Sequence, residues 1–146
     1  MDYTATITTS APPEQAARQI ADDLELWWST RVDRGPSGFT IRFNTSHATF
    51  AIDPGSTAQS FTWTCTDAHM IMEGVDDPAE WKGTRLVWRI APAPGGSMVT
   101  LTHEGLSPQI ACFDTCQRGW QHFFKDSLRD HLNGETARPE TSQPAA

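Results

Sequence analysis

The sequence predicts an α+β domain: a curved antiparallel sheet of six to seven strands wrapped around a long C-terminal helix, with one or two short helices after the first strand. Three observations carry that prediction. Segments of strict period-two alternation recur, separated by short Gly, Pro and Asn turns. The helical patterns sit at the two ends of this run and not between its strands, the order expected of α+β and not of a parallel α/β sheet. Finally, the strand Met98 to Glu104 runs through Gly105-Leu106-Ser107-Pro108 into an amphipathic stretch from Ile110 to Leu132.

Taken in order, Tyr3 to Thr9 alternates and reads as the first strand. Ser10 is a plausible N-cap before Pro12, Pro13 and Glu14, so a helix is expected through Ala16, Ala17, Ile20 and Leu24. Leu26, Trp27 and Trp28 start a second short helix or a tight turn, and Gly35-Pro36-Ser37-Gly38 is a loop by composition. Phe39, Ile41 and Phe43 share one strand face; Ala48, Phe50 and Ile52 share the next, after a turn at Asn44-Thr45-Ser46. Past the turn at Asp53 to Ser56, Phe61, Trp63 and Cys65 alternate with Thr62, Thr64 and Thr66. A loop holding Asp76-Asp77-Pro78 follows. Leu86, Trp88 and Ile90 then alternate with Arg85, Val87 and Arg89, and Pro92 to Gly96 forms a hairpin loop before the last strand. Asn133-Gly134 is the expected C-cap of the long helix. The expected domain is 1–134; the polar tail 135–146 is expected to be disordered.

On a wheel of 100° per residue centred on Trp120, the inner face of the long helix collects Phe113, Cys116, Gln117, Phe123, Phe124, Ser127, Leu128 and His131. It is aromatic, but Cys116, Gln117, Ser127 and His131 interrupt it. A helix packed only on a sheet is normally apolar there, so the pattern predicts one wall of a partly polar cavity. Trp63, Trp88, Phe61 and Leu101 face it from the sheet.

A 146-residue chain is one domain by size and buries roughly 68–70% of its unfolded surface, enough for a core without staples. The net charge of −7, without a Lys/Arg run, argues against nucleic acid and against an anionic membrane surface. No stretch approaches the ~20 apolar residues of a membrane span, and Met1-Asp2-Tyr3-Thr4 has neither the basic region nor the apolar run of a signal peptide. Three cysteines, an odd number, suit a reducing compartment, and a cytoplasmic protein is expected. Cys112 and Cys116 stand one helical turn apart. Without a second close pair of ligands they read as small apolar residues of a buried face, as does Cys65, and no metal or other cofactor is expected.

The order of elements resembles the helix-grip fold of the START and Bet-v-type allergen superfamily, also called SRPBCC. Leu26-Trp27-Trp28, Glu80-Trp81-Lys82-Gly83-Thr84, His103-Glu104-Gly105-Leu106, Cys112 through Trp120 and Ser127-Leu128 resemble the branch named after the activator of the heat-shock chaperone ATPase. The match spans roughly Asp2 to Gly134. The resemblance implies a cavity between sheet and C-terminal helix that holds apolar molecules. In full-length chaperone activators a second domain takes part, so the branch name implies the fold and not the activity.

The function expected is non-covalent binding of a small hydrophobic or amphipathic molecule in that cavity, lined by Trp63, Trp88, His103, Cys116, Gln117, Trp120 and Phe124. A cyclase- or dehydratase-type enzyme using the same cavity is one alternative. His103 would be its acid/base, being of the same strand parity as Val99 and Leu101; the competing role for His103 is to cap the following turn or helix. A modulator of a chaperone ATPase acting through surface contacts is the other. The protein is expected as a monomer or homodimer. Glu73, Asp76, Asp77 and Glu80 match no calcium loop and read as a solvated acidic loop.

Overall fold

Strand alternation resolves into one sheet whose apolar side chains join the C-terminal helix and the first helix in a single core. The structure, a computed structural model, describes residues 1–142. Its strands are β1 (Tyr3–Thr9), β2 (Arg31–Gly35), β3 (Gly38–Phe43), β4 (Ser46–Ile52), β5 (Ser60–His69), β6 (Arg85–Ala93) and β7 (Gly96–Glu104). They form one seven-stranded sheet in the order β1-β7-β6-β5-β4-β3-β2, with every neighbouring pair antiparallel. Helices α1 (Pro13–Asp22) and α2 (Leu24–Trp27) follow β1. The long helix α3 spans 113–132 as an α segment Phe113–Trp120, a π segment Gln121–Leu128 and a final α turn Arg129–Leu132.

Register places the site's side chains. Leu86 pairs with His103 and Trp88 with Leu101 across β6 and β7, while Phe61 pairs with Trp88 across β5 and β6. Phe50, Trp63, Trp88, Leu101 and His103 thus line the concave face, all buried. Threonines decorate the outside: Thr4 bonds Thr102, and Thr6 bonds Thr100, each at 3.0 Å.

Every fourth residue of the C-terminal segment is buried: Cys112, Cys116, Trp120, Phe124, Leu128 and Leu132. In a regular α-helix such a stripe drifts by about 40° per step. The wider turn of the π segment takes back part of that drift and keeps Phe124, Ser127 and Leu128 toward the sheet. At the other end the stripe has already turned toward Cys112, and Gln117, one residue past Cys116, faces out.

One strand was not legible in the sequence, and one expectation is revised. β2 carries no apolar alternation, since Asp33 and Arg34 are exposed at the sheet edge; it is held by pairing with β3, and Gly35 to Gly38 is the turn between them. The tail expected to be disordered is docked as far as residue 142. The Glu140 N–H donates to the Trp28 carbonyl at 2.7 Å, the Thr30 N–H donates to the Glu140 carbonyl at 2.9 Å, and the Arg138 N–H donates to Ser127 Oγ at 2.9 Å. The remainder of that expectation, 143–146, lies outside the described residues. No helix among the described residues is long and apolar enough to cross a membrane.

Ser127 joins the tail to the core. Its buried hydroxyl donates to the Trp27 carbonyl at 2.7 Å and accepts from Arg138. Ser127→Ala leaves a buried carbonyl and an amide without partners, each worth about 1–3 kcal/mol. A loss of about 2 kcal/mol in urea denaturation is expected, with faster proteolysis of the tail; unchanged stability would mean water replaces the hydroxyl.

Candidate functional site

The centre of the grip is packed solid. Trp88 sits between Phe61, Trp63 and Phe124, with ring centroids at 5.9, 5.3 and 5.8 Å, and Trp27 meets its edge at 6.1 Å. Room remains to one side, in a cavity of about 180 Å³ between α3, Trp28, Phe43 and the β5–β6 loop. Helix α3 supplies Cys116, Gly119, Trp120 and Phe123; the loop supplies Met70, Met72 and Trp81. Thr115 and, from the docked tail, Glu140 complete the lining. Trp81 and Trp120 stack within 9° of parallel at 6.1 Å, and Trp28 meets Trp120 at 5.2 Å. These stacked indoles fix the inner wall.

Gly119 explains the opening. A glycine inside a helix costs about 1 kcal/mol against alanine. A Cβ at 119 would meet nothing within 4 Å, so no close approach demands glycine. The space a side chain would take belongs to the cavity.

Behind that wall runs a closed hydrogen-bond chain. The indole N–H of Trp120 donates to His103 Nδ1 at 3.0 Å. Indole is a donor only, so Nδ1 carries no proton and Nε2 does. Nε2 then donates to Thr84 Oγ1 at 2.9 Å, and Thr84 Oγ1 donates to the Trp81 carbonyl at 2.6 Å. Burial pushes the His103 pKa down to about 3. The ring is neutral, its tautomer is fixed and both nitrogens are engaged. It does not line the cavity, and its ring caps neither the following turn nor α3. Gly105 (φ +99°) closes the turn after it, where a Cβ would press on the Thr84 side chain at 2.7 Å.

The start of α3 is held from the loop that sequence alone left solvated. Glu80 accepts from the Cys112 N–H at 2.8 Å and the Ala111 N–H at 3.2 Å, satisfying amides a helix cannot pair internally. The Trp81 indole N–H donates to Cys116 Sγ at 3.1 Å. Cys65 is sealed in the sheet, its thiol pushed up to about 11 by burial.

No protein-family model and no curated protein sequence matches the chain. Solved structures do. The solution structure of the Aha1 dimer from Colwellia psychrerythraea superposes with a TM-score of 0.73 at 21% identity, covering 91% of this chain and 96% of that one. A Mesorhizobium loti protein gives 0.67 at 20% identity over 86% and 92%. The crystal structure of Ara h 8.0201 gives 0.59 at 16% identity over 90% and 97%. The chain has the helix-grip fold.

Within this helix grip the seven residues expected to line one cavity are scattered. Cys116 and Trp120 line it. Trp63 reaches instead a wider groove of about 420 Å³ between α1 and β5, rimmed by the exposed charges of Glu14, Arg18 and Asp22. Trp88, Phe124 and His103 belong to the solid core. Gln117 is exposed and borders a surface cleft beside Tyr3 and Lys125. Sequence reasoning missed Met70, Met72 and the tail residue Glu140 as wall residues. Two sequence signals mark this cavity: Cys116, which interrupts the aromatic inner face, and Gly119, a glycine inside the helix.

Proposed function

We propose that the chain binds one small apolar or amphipathic molecule, about the size of a single aromatic ring, in the cavity beside Gly119. The observation that carries this reading is the empty Cβ position of Gly119: the helix forgoes stability where a side chain would fill the space. At about 180 Å³ the cavity is smaller than drug-sized sites of roughly 300–1,000 Å³. It resembles in size the roughly 150 Å³ engineered void that takes up benzene. The indole faces of Trp28, Trp81 and Trp120 suit a flat ring, and Glu140 and Thr115 suit one polar substituent. Affinity comes from apolar area removed from water, about 25 cal/mol per Å².

The test titrates the protein with toluene, phenol and indole, reading NMR shifts of Gly119 and the melting temperature. Binding raises stability by about 2.7 kcal/mol at a hundredfold excess over Kd. Gly119→Ala is expected to gain up to about 1 kcal/mol without ligand. Gly119→Leu fills the cavity and is expected to abolish binding while the protein stays folded. If none of the probes shifts Gly119 resonances or the melting curve, the proposal fails; it fails equally if Gly119→Leu binds them unchanged.

A further inference from the structure

We propose that Cys112, Cys116 and Met72 form a binding site for a single Cu(I) ion in the wall of this cavity. Cys116 Sγ lies 2.7 Å from Cys112 Sγ and 3.7 Å from Met72 Sδ. Sulfurs from two elements, the start of α3 and the β5–β6 loop, therefore gather around Cys116 Sγ. Both cysteines are buried free thiols, and Cys116 and Met72 face the cavity, which supplies the route from solvent.

The ligand set selects the ion. Thiolate and thioether are soft donors that suit Cu(I), whereas zinc sites draw on Cys, His and carboxylates. Among the described residues, no group of three or more His, Cys, Asp and Glu stands close enough to hold a metal; the third donor here is a thioether. The surroundings hold the site in place. Glu80 ties down the backbone amides of Ala111 and Cys112, and the Trp81 N–H donates to Cys116 Sγ, as outer-shell partners of metal ligands do.

Binding breaks two S–H bonds and forms two Cu–S bonds, with Met72 Sδ as the third donor. Two protons leave to solvent, the copper stays Cu(I), and the thiols part to admit the ion. The inference goes beyond the ring-binding reading and is tested without any organic ligand.

The experiment titrates the reduced full chain anaerobically with Cu(I) against the chromophoric chelator bicinchoninate. Expected are one ion per chain, withdrawal of copper from the chelator, and an apparent affinity rising up to about a hundredfold per pH unit below the thiol pKa values, as two released protons require. Cys112→Ser and Cys116→Ser are expected to abolish binding, Met72→Leu to weaken it at least about tenfold by loss of the thioether, and Cys65→Ser to leave it unchanged. Circular dichroism checks that each variant is folded, and Met72→Leu serves as the deciding variant if a Cys variant is not. The proposal is overturned if the protein takes no copper from the chelator. It is overturned too if a folded Cys112→Ser or Cys116→Ser protein binds as the parent does, or if Met72→Leu has no effect.

Discussion

On acidification from pH 6.5 to pH 3 the protein should lose on the order of 5 kcal/mol of stability through His103 alone. Its pKa is about 3 in the folded chain and about 6.5 when unfolded. Between those values the unfolded chain binds a proton that the folded chain refuses, so stability falls as pH falls. The full contribution is present above the unfolded pKa, and its loss is complete near pH 3. The depression spans about 3.5 pH units, at 1.36 kcal/mol each. His103→Gln removes the titration. Its amide offers an oxygen to the Trp120 N–H and an NH₂ to Thr84, so most of the fold's stability is expected to remain near pH 7. The check is a series of urea denaturations from pH 7 to pH 3.5 on both proteins. Glu25 and Asp67, whose pKa values are lowered by hydrogen bonds from Arg34 and His47, destabilise both equally in acid, so the difference between the curves isolates His103. Parallel losses in the two proteins would show that His103 does not set the acid limit.

That network shows what sequence makes legible. Parity with Val99 and Leu101 was enough to turn His103 inward, because a strand alternates faces whatever its surroundings. The partners were not legible: Thr84 and Trp120 lie 19 and 17 residues away, and only register and helix rotation bring them together. Six strands declared themselves by alternation. β2 did not, because an edge strand with polar side chains on both faces has no period to read. The cavity depends on where Trp81 and Trp120 stack and on Met70 and Met72, which sit in a loop without periodicity. Gln117 was misplaced because the wheel was centred on Trp120, while at the start of the helix the buried stripe has turned toward Cys112 and Cys116. The tail looked disordered by composition, yet backbone groups left open at Trp28 and Thr30 gave it hydrogen-bond partners.

Trp120→Ala is expected to bring the protein close to unfolding. The side chain is 2% exposed, stacks on Trp81, packs against Trp28 and is the donor to His103. Truncating a buried Trp to Ala costs about 3–5 kcal/mol, and the orphaned His103 Nδ1 adds about 1–3 kcal/mol. Together these are comparable with the whole stability of a domain, about 5–15 kcal/mol. Trp120→Phe separates the two effects: it keeps an aromatic ring against Trp28 and Trp81 but removes the N–H. Paired in a double-mutant cycle with His103→Leu, which offers the indole no acceptor, Trp120→Phe should show a coupling of about 0.5–3 kcal/mol, the range for residues sharing one network. A coupling near zero would mean the hydrogen bond contributes nothing beyond packing, and that burial alone keeps His103 neutral. The two outcomes predict opposite acid behaviour for Trp120→Phe. If the bond holds the imidazole neutral, losing it lets His103 protonate at higher pH and flattens the acid limb. If burial alone suffices, the limb keeps its slope.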